Sequence, residues 1–142
     1  MIMKNILTTL LFVCVLSSVN AQSIFGKWKS IDDETGKAKS IIEIYEKDGK
    51  VYGKIIKIIN KDRANAVCDA CKGDKKNQPI LGMRIIEGLE LEDDMYEGGT
   101  ITNPENGKVY KCTLKLTEDS DILRVRGYVA FFYKTQYWKR VE

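Results

Sequence analysis

From residue 25 onward the chain is a succession of short apolar runs rich in Ile, Val, Tyr and Thr, each broken by turn-forming residues. Runs over 25–31, 39–46, 51–59, 83–89, 95–102, 108–116, 122–129 and 135–141 predict about eight strands, mostly linked as hairpins. Asp48-Gly49 between the second and third is a strong hairpin signal. Clusters at 92–94, 103–107 and 118–121 supply further turns. Alternation supports the reading where both faces can be compared. Tyr110, Cys112, Leu114 and Leu116 share one face of their run, with Val109, Lys111, Thr113 and Lys115 on the other. Leu123, Val125, Gly127 and Val129 likewise oppose Ile122, Arg124, Arg126 and Tyr128. A period of two with one apolar face is what a half-buried strand requires. The run 51–59 is apolar on both faces and predicts cover on both.

Eight antiparallel strands must hide their edges, and closing the sheet into a barrel does so. The expected fold is therefore all-β, an antiparallel barrel of about eight strands, with a two-sheet sandwich as the competitor. Such a barrel is either filled by its own side chains or holds one small ligand. No strand offers an uninterrupted uncharged face to lipid, which argues against a membrane barrel.

The longest irregular stretch is 60–78. Asp62 there predicts the cap of a short helix over 63–72, with Gly73 as its stop. Cys68 and Cys71 would then lie one turn apart, close enough for a disulfide. Two other readings compete: a redox-active pair, which wants a βαβ setting this chain does not show, and a thiolate metal site lacking a histidine ligand. Cys112, on the apolar face of its run, reads as a buried small hydrophobe unless it pairs with a loop cysteine.

Trp28, in Gly26-Lys27-Trp28, opens the first run, and Arg140 closes the last. A closed barrel makes those runs neighbours, so the guanidinium can stack on the indole as a closure contact. Trp28, Tyr110, Tyr128 and Trp138 are the candidate ligand-binding aromatics, against the competing reading that they fill the core. Tyr110 leads, because it shares a face with Leu114 and Leu116. The stretch 130–134 reads as the last connection, and its Phe131-Phe132-Tyr133 as a lid, an interaction patch or a cover over the mouth.

The first 21 residues have another character: a single Lys4, an apolar run over 6–15, then Ser17-Ser18-Val19-Asn20-Ala21. These are the parts of a secretory signal peptide cleaved after Ala21. The apolar run is too short to span a bilayer, which takes about 20 residues. Cys14 lacks the small residues before it that lipid attachment needs. One domain over 22–142 is expected, periplasmic or secreted, with no membrane span.

With 142 residues the length allows one domain. There is no histidine, which excludes Ser-His-Asp and Cys-His sites and imidazole-bound zinc. The formal charge is +3, with lysines interleaved among acids, unlike the clustered basic surface of a nucleic-acid binder. Acidic groups at 32–34 and 92–94 fall on turns, where solvated carboxylates belong. The expectation is a non-enzyme with no catalytic residue, metal or cofactor.

The residues also resemble a known family. The stretches carrying the likeness are Gly26-Lys27-Trp28 with Asp32-Asp33-Glu34-Thr35-Gly36-Lys37, Ala66-Val67-Cys68-Asp69-Ala70-Cys71-Lys72-Gly73, and above all Tyr96-Glu97-Gly98-Gly99-Thr100-Ile101 running on through Asn103-Pro104-Glu105-Asn106-Gly107. Val125-Arg126-Gly127-Tyr128 and Thr135-Gln136-Tyr137-Trp138-Lys139-Arg140-Val141 complete it. The chain resembles the exported bacterial family called domain of unknown function 2147, lipocalin-like small barrels common in Bacteroidetes. That likeness implies a small exported barrel with no established enzymatic activity. Where members usually carry Gly-Arg-Thr-Gln, this chain has Tyr133-Lys134-Thr135-Gln136.

Two functions follow as expectations. One is binding of a small apolar or amphipathic ligand inside the barrel. The other is a non-catalytic envelope or secreted interaction protein, its core filled, taking a protein partner on loops 60–78 and 130–134. A cavity of several hundred Å³ would separate the first from the second.

Overall fold

The computed structural model describes residues 23–142. The signal-peptide expectation for 1–21 falls outside the described residues. Eight strands follow in chain order: β1 Gly26–Ile31, β2 Ala38–Lys47, β3 Lys50–Ile58, β4 Arg84–Glu92, β5 Met95–Thr102, β6 Val109–Leu116, β7 Ile122–Val129 and β8 Phe132–Val141. Each pairs antiparallel with the next, and β8 returns to β1, closing the barrel. Closure leaves no unpaired strand edge.

Inward positions alternate as the apolar pattern demands. Ile42 and Ile44 of β2, Leu114 of β6 and Leu123 of β7 are fully buried. The Asp48-Gly49 turn joins β2 to β3 with both residues in the left-handed region, the geometry that selects Asp-Gly. The two-sided apolarity of β3 is explained by the long β3–β4 connection, which folds back on it. Ile55 N–H donates to the Met83 carbonyl and Gly82 N–H to the Ile55 carbonyl.

That connection contains no α-helix, contrary to the expectation for 63–72. It has two isolated 3₁₀ turns, Lys61–Arg63 and Gly73–Lys75. Asn60, not Asp62, caps the first, its side chain accepting from Asp62 N–H. Between the turns the chain doubles on itself. Cys68 N–H donates to the Gln78 carbonyl, Asn77 N–H to the Cys68 carbonyl, and Ile80 N–H to the Ala66 carbonyl. Backbone groups used across this small ribbon are not free for i→i−4 bonds, so the helix loses. Cys68 and Cys71 form a disulfide with Cα atoms 5.3 Å apart, and both are buried. Their sulfurs are therefore neither thiolate ligands nor surface-accessible.

A loop this short loses little entropy when crosslinked, on the order of 2 kcal/mol. Reduction is expected to loosen 60–83 while the barrel stays folded, checked by amide exchange with and without reductant. Global unfolding on mild reduction would contradict it.

Cys112 lies unpaired and buried on β6. Burial pushes its thiol up to about 12. The folded thiol thus stays neutral where the unfolded one ionises. The stability this contributes is whole below pH about 9 and drains away as pH rises towards 12, by at most about 1.4 kcal/mol per unit. Native protein at pH 8 should leave Cys112 unalkylated by iodoacetamide, as read by peptide mass mapping, with full reaction only in denaturant.

The last connection differs from expectation too. Pairing runs to Val129 opposite Phe132, leaving only Ala130-Phe131 as a turn. Phe132 and Tyr133 are strand residues because aromatic rings pair well across strands. Tyr133 packs on Tyr128 at 5.8 Å between ring centroids, with the Arg126 guanidinium 4.6 Å over the Tyr133 ring.

Candidate functional site

The two ends of the barrel are built differently. At one end Trp28 is 0% exposed, and its Nε1 donates to the Ile24 carbonyl at 2.8 Å. Arg140, opposite Trp28 in the β1–β8 register, stacks over the indole at 4.3 Å. Its guanidinium donates to the carbonyls of Phe25, Ser23 and Ser120 and pairs with Asp121. One planar cation thereby gathers the segment before β1 and the β6–β7 turn over the barrel's end. Three of its five N–H donors have a carbonyl partner, and the Asp121 carboxylate beside Nε balances the part-buried charge. The end is plugged.

The other end is open. A cavity of about 800 Å³ enters between the β1–β2, β3–β4, β5–β6 and β7–β8 connections. Its walls divide by chemistry. Ile55, Ile80, Ile85, Ile101 and Val125 make an apolar side. Ser30, Ser40, Gln136 and the Trp138 indole bring polar atoms to the β1, β2 and β8 side. These polar groups are held by one another. Ser30 and Ser40 share a 2.6 Å hydroxyl–hydroxyl hydrogen bond. Trp138 Nε1 donates to Gln136 Oε1, whose Nε2 donates to Asp33 Oδ1, both at 2.7 Å. That chain of bonds runs from the interior to the rim and fixes the β1–β2 turn against β8.

The rim carries both signs of charge, with Asp32, Asp33, Glu34 and Glu105 beside Lys37, Lys39, Arg63 and Lys134. Backbone N–H groups of Thr35 and Glu34, bonded to the Asp32 carboxylate, hold its pKa below the ordinary value. Lys39 pairs with Glu105 at 3.1 Å, tying the start of β2 to the β5–β6 turn. On the far side, Lys75 and Arg84 both donate to Glu87, which anchors the disulfide loop to β4.

Of the four aromatics expected around a ligand, Tyr110 and Trp138 line the cavity. Trp28 is not among its lining residues, being spent on the plugged end. Tyr128 is on the outer face against Tyr133. Alternation already pointed there, since Tyr128 shares its face with Arg124 and Arg126. The barrel-closure pair Trp28–Arg140 and the Cys68–Cys71 bridge are both formed. Sequence reasoning passed over the polar lining, Ser30, Ser40, Asp33, Gln136 and Lys134. Gln136 and Lys134 carried a findable signal, for they alternate with Trp138 along one strand face.

Gly127 of β7, opposite Lys134, has no side chain, and Tyr110 and Ile101 of the cavity wall pack over it. No three of His, Cys, Asp and Glu cluster as a metal site among the described residues. No described helix is long and apolar enough to cross a membrane.

A family model described as "Uncharacterized protein conserved in bacteria (DUF2147)" matches residues 26–140. No curated protein matches the chain. Among solved structures the chain is similar to protein HP1028 of Helicobacter pylori, described as belonging to the lipocalin family. The TM-score is 0.73 and the identity 21%, over 84% of each chain. At that identity the likeness is one of fold.

Proposed function

The chain belongs to this family of uncharacterized proteins conserved in bacteria, and we propose that it binds one small apolar or amphipathic molecule in the open half of its barrel. The observation that carries the reading is the cavity itself: about 800 Å³, apolar on one wall and polar on the other, open at a charged rim. Sites for small ligands run to roughly 300–1,000 Å³ with a few fixed polar groups in an apolar lining. Here the Ser30–Ser40 pair and the Trp138–Gln136–Asp33 chain would orient a polar group, and the isoleucines would cover the rest. No catalytic step belongs to this reading. The character of residues 1–21 and the disulfide in a chain this small support export, to the periplasm or beyond.

Native mass spectrometry of protein recovered from its own host is the direct test. Excess mass lost on denaturation supports the proposal, and its value begins the identification. A bare mass, together with no enhancement of 1-anilinonaphthalene-8-sulfonate fluorescence, would overturn it. Val125 lines the cavity and is buried. Val125→Trp should fill the space and weaken dye binding at least tenfold while the unfolding midpoint moves little. Unchanged dye affinity would put the dye elsewhere.

A further inference from the structure

The β7–β8 turn stands out from the rest of the surface. Phe131 is 98% exposed, Phe132 78% and Tyr133 60%, with Val129 exposed beside them. Isolated exposed apolar residues are ordinary, but a contiguous aromatic group at the tip of a two-residue turn is not. The tip is also at the cavity entrance, which Val129 and Phe132 line. Ala130, in the left-handed region at φ 50°, makes the turn tight and so holds Phe131 out beyond the strands.

Charge on the strands that carry and flank this tip is one-sided, although the mouth as a whole has both signs. Strands β6, β7 and β8 contain no Asp or Glu. Lys111, Tyr128 and Tyr133 form one register row just below the turn, and Thr113, Arg126 and Thr135 form another. Lys134 follows Tyr133 at the rim. Of the acids across the mouth, Glu105 pairs with Lys39 and Asp33 accepts from Gln136, while Asp32 and Glu34 stand on the β1–β2 turn, on the opposite side of β8 from Lys111 and Arg126.

We propose that the mouth of the barrel docks on an anionic lipid bilayer, the Phe131–Phe132 tip entering the interface and Lys111, Arg126 and Lys134 meeting the headgroups. Aromatic side chains settle at the boundary of headgroups and acyl chains, and basic residues beside them are drawn to anionic lipid. A second copy of the chain is the poorer occupant, since matching cationic rows would face each other. Docked this way, the cavity entrance opens towards the membrane surface. Phe132 and Lys134 also line the cavity entrance, but the inference does not require the cavity to hold a ligand.

The test is co-sedimentation with vesicles of phosphatidylcholine alone and of equal parts phosphatidylcholine and phosphatidylglycerol. It uses the chain as its host produces it, so that the variants and the parent share whatever N-terminus they carry. The parent should bind the anionic vesicles, and bind them less as salt rises. Phe131→Ser with Phe132→Ser should weaken binding roughly tenfold or more, from the apolar area no longer buried. Lys111→Glu should weaken it at least about fivefold on anionic vesicles. These side chains are exposed, so circular dichroism should report an unchanged fold. Equal binding by the tip variant, or none by the parent, would overturn the proposal. So would a concentration-dependent dimer that the tip variant abolishes without any binding to vesicles.

Discussion

Replacing Trp28 by alanine is expected to destabilise the barrel by about 3–5 kcal/mol, the range for removing a buried Trp side chain. Three things are lost together. The indole is fully buried, its Nε1 satisfies the Ile24 carbonyl, and its face carries the Arg140 guanidinium. Arg140 would remain part-buried over a void, with its carbonyl partners held by a chain that no longer has a wall to rest on. Urea unfolding measures this as a lower midpoint with an unchanged slope. Arg140→Met keeps much of the side-chain volume and removes the charge, so it should cost less. The pair made together should cost less than the sum of the two, because they share one contact. Strict additivity would mean that the stacking seen at 4.3 Å contributes nothing.

Gly107→Ala should be the second severe change, and a local one. Gly107 is in the left-handed region at φ +71°, and a Cβ there would collide with the Ala70 carbonyl of the disulfide loop. Both the backbone conformation and the space demand glycine. An added methyl must push the Cys68–Cys71 segment away from the β5–β6 turn, at about 1–3 kcal/mol. Because the displaced loop forms part of the cavity mouth, the variant should show faster amide exchange over 60–83 and altered dye binding. Exchange rates in β1 and β8 should hold. Uniform acceleration through the barrel would show instead that the contact supports the whole fold.

These two residues also mark what could and could not be read in advance. Trp28 and Arg140 were legible as a pair, because a closed sheet must bring the first and last strands together. Gly107 was only one residue of a turn, since nothing local says that a loop more than thirty residues earlier lies upon it. The helix expected over 63–72 failed for a related reason. Local signals for a cap and a stop were present, but the backbone of 66–68 found partners at 77–80. Alternation puts Tyr128 on the outer face with Arg124 and Arg126, and only its ring speaks for a ligand role.

Strand order, most of the hairpin turns and the buried faces of β6 and β7 were determined by the sequence, because they depend on a period of two and on turn chemistry within a few residues. The open cavity, its polar wall and the exposed tip were decided by tertiary structure. Whether a barrel interior is filled depends on how side chains from all eight strands sum across its width. Ser30 and Ser40 already meet across the β1–β2 hairpin, but only barrel closure brings Gln136 of β8 to Asp33 and joins the two pairs into one wall. Phe131 and Phe132 read equally well as a lid or a patch. Pairing of β7 with β8 up to Val129 and Phe132 left just two residues for the turn, and so turned the aromatic tip outward.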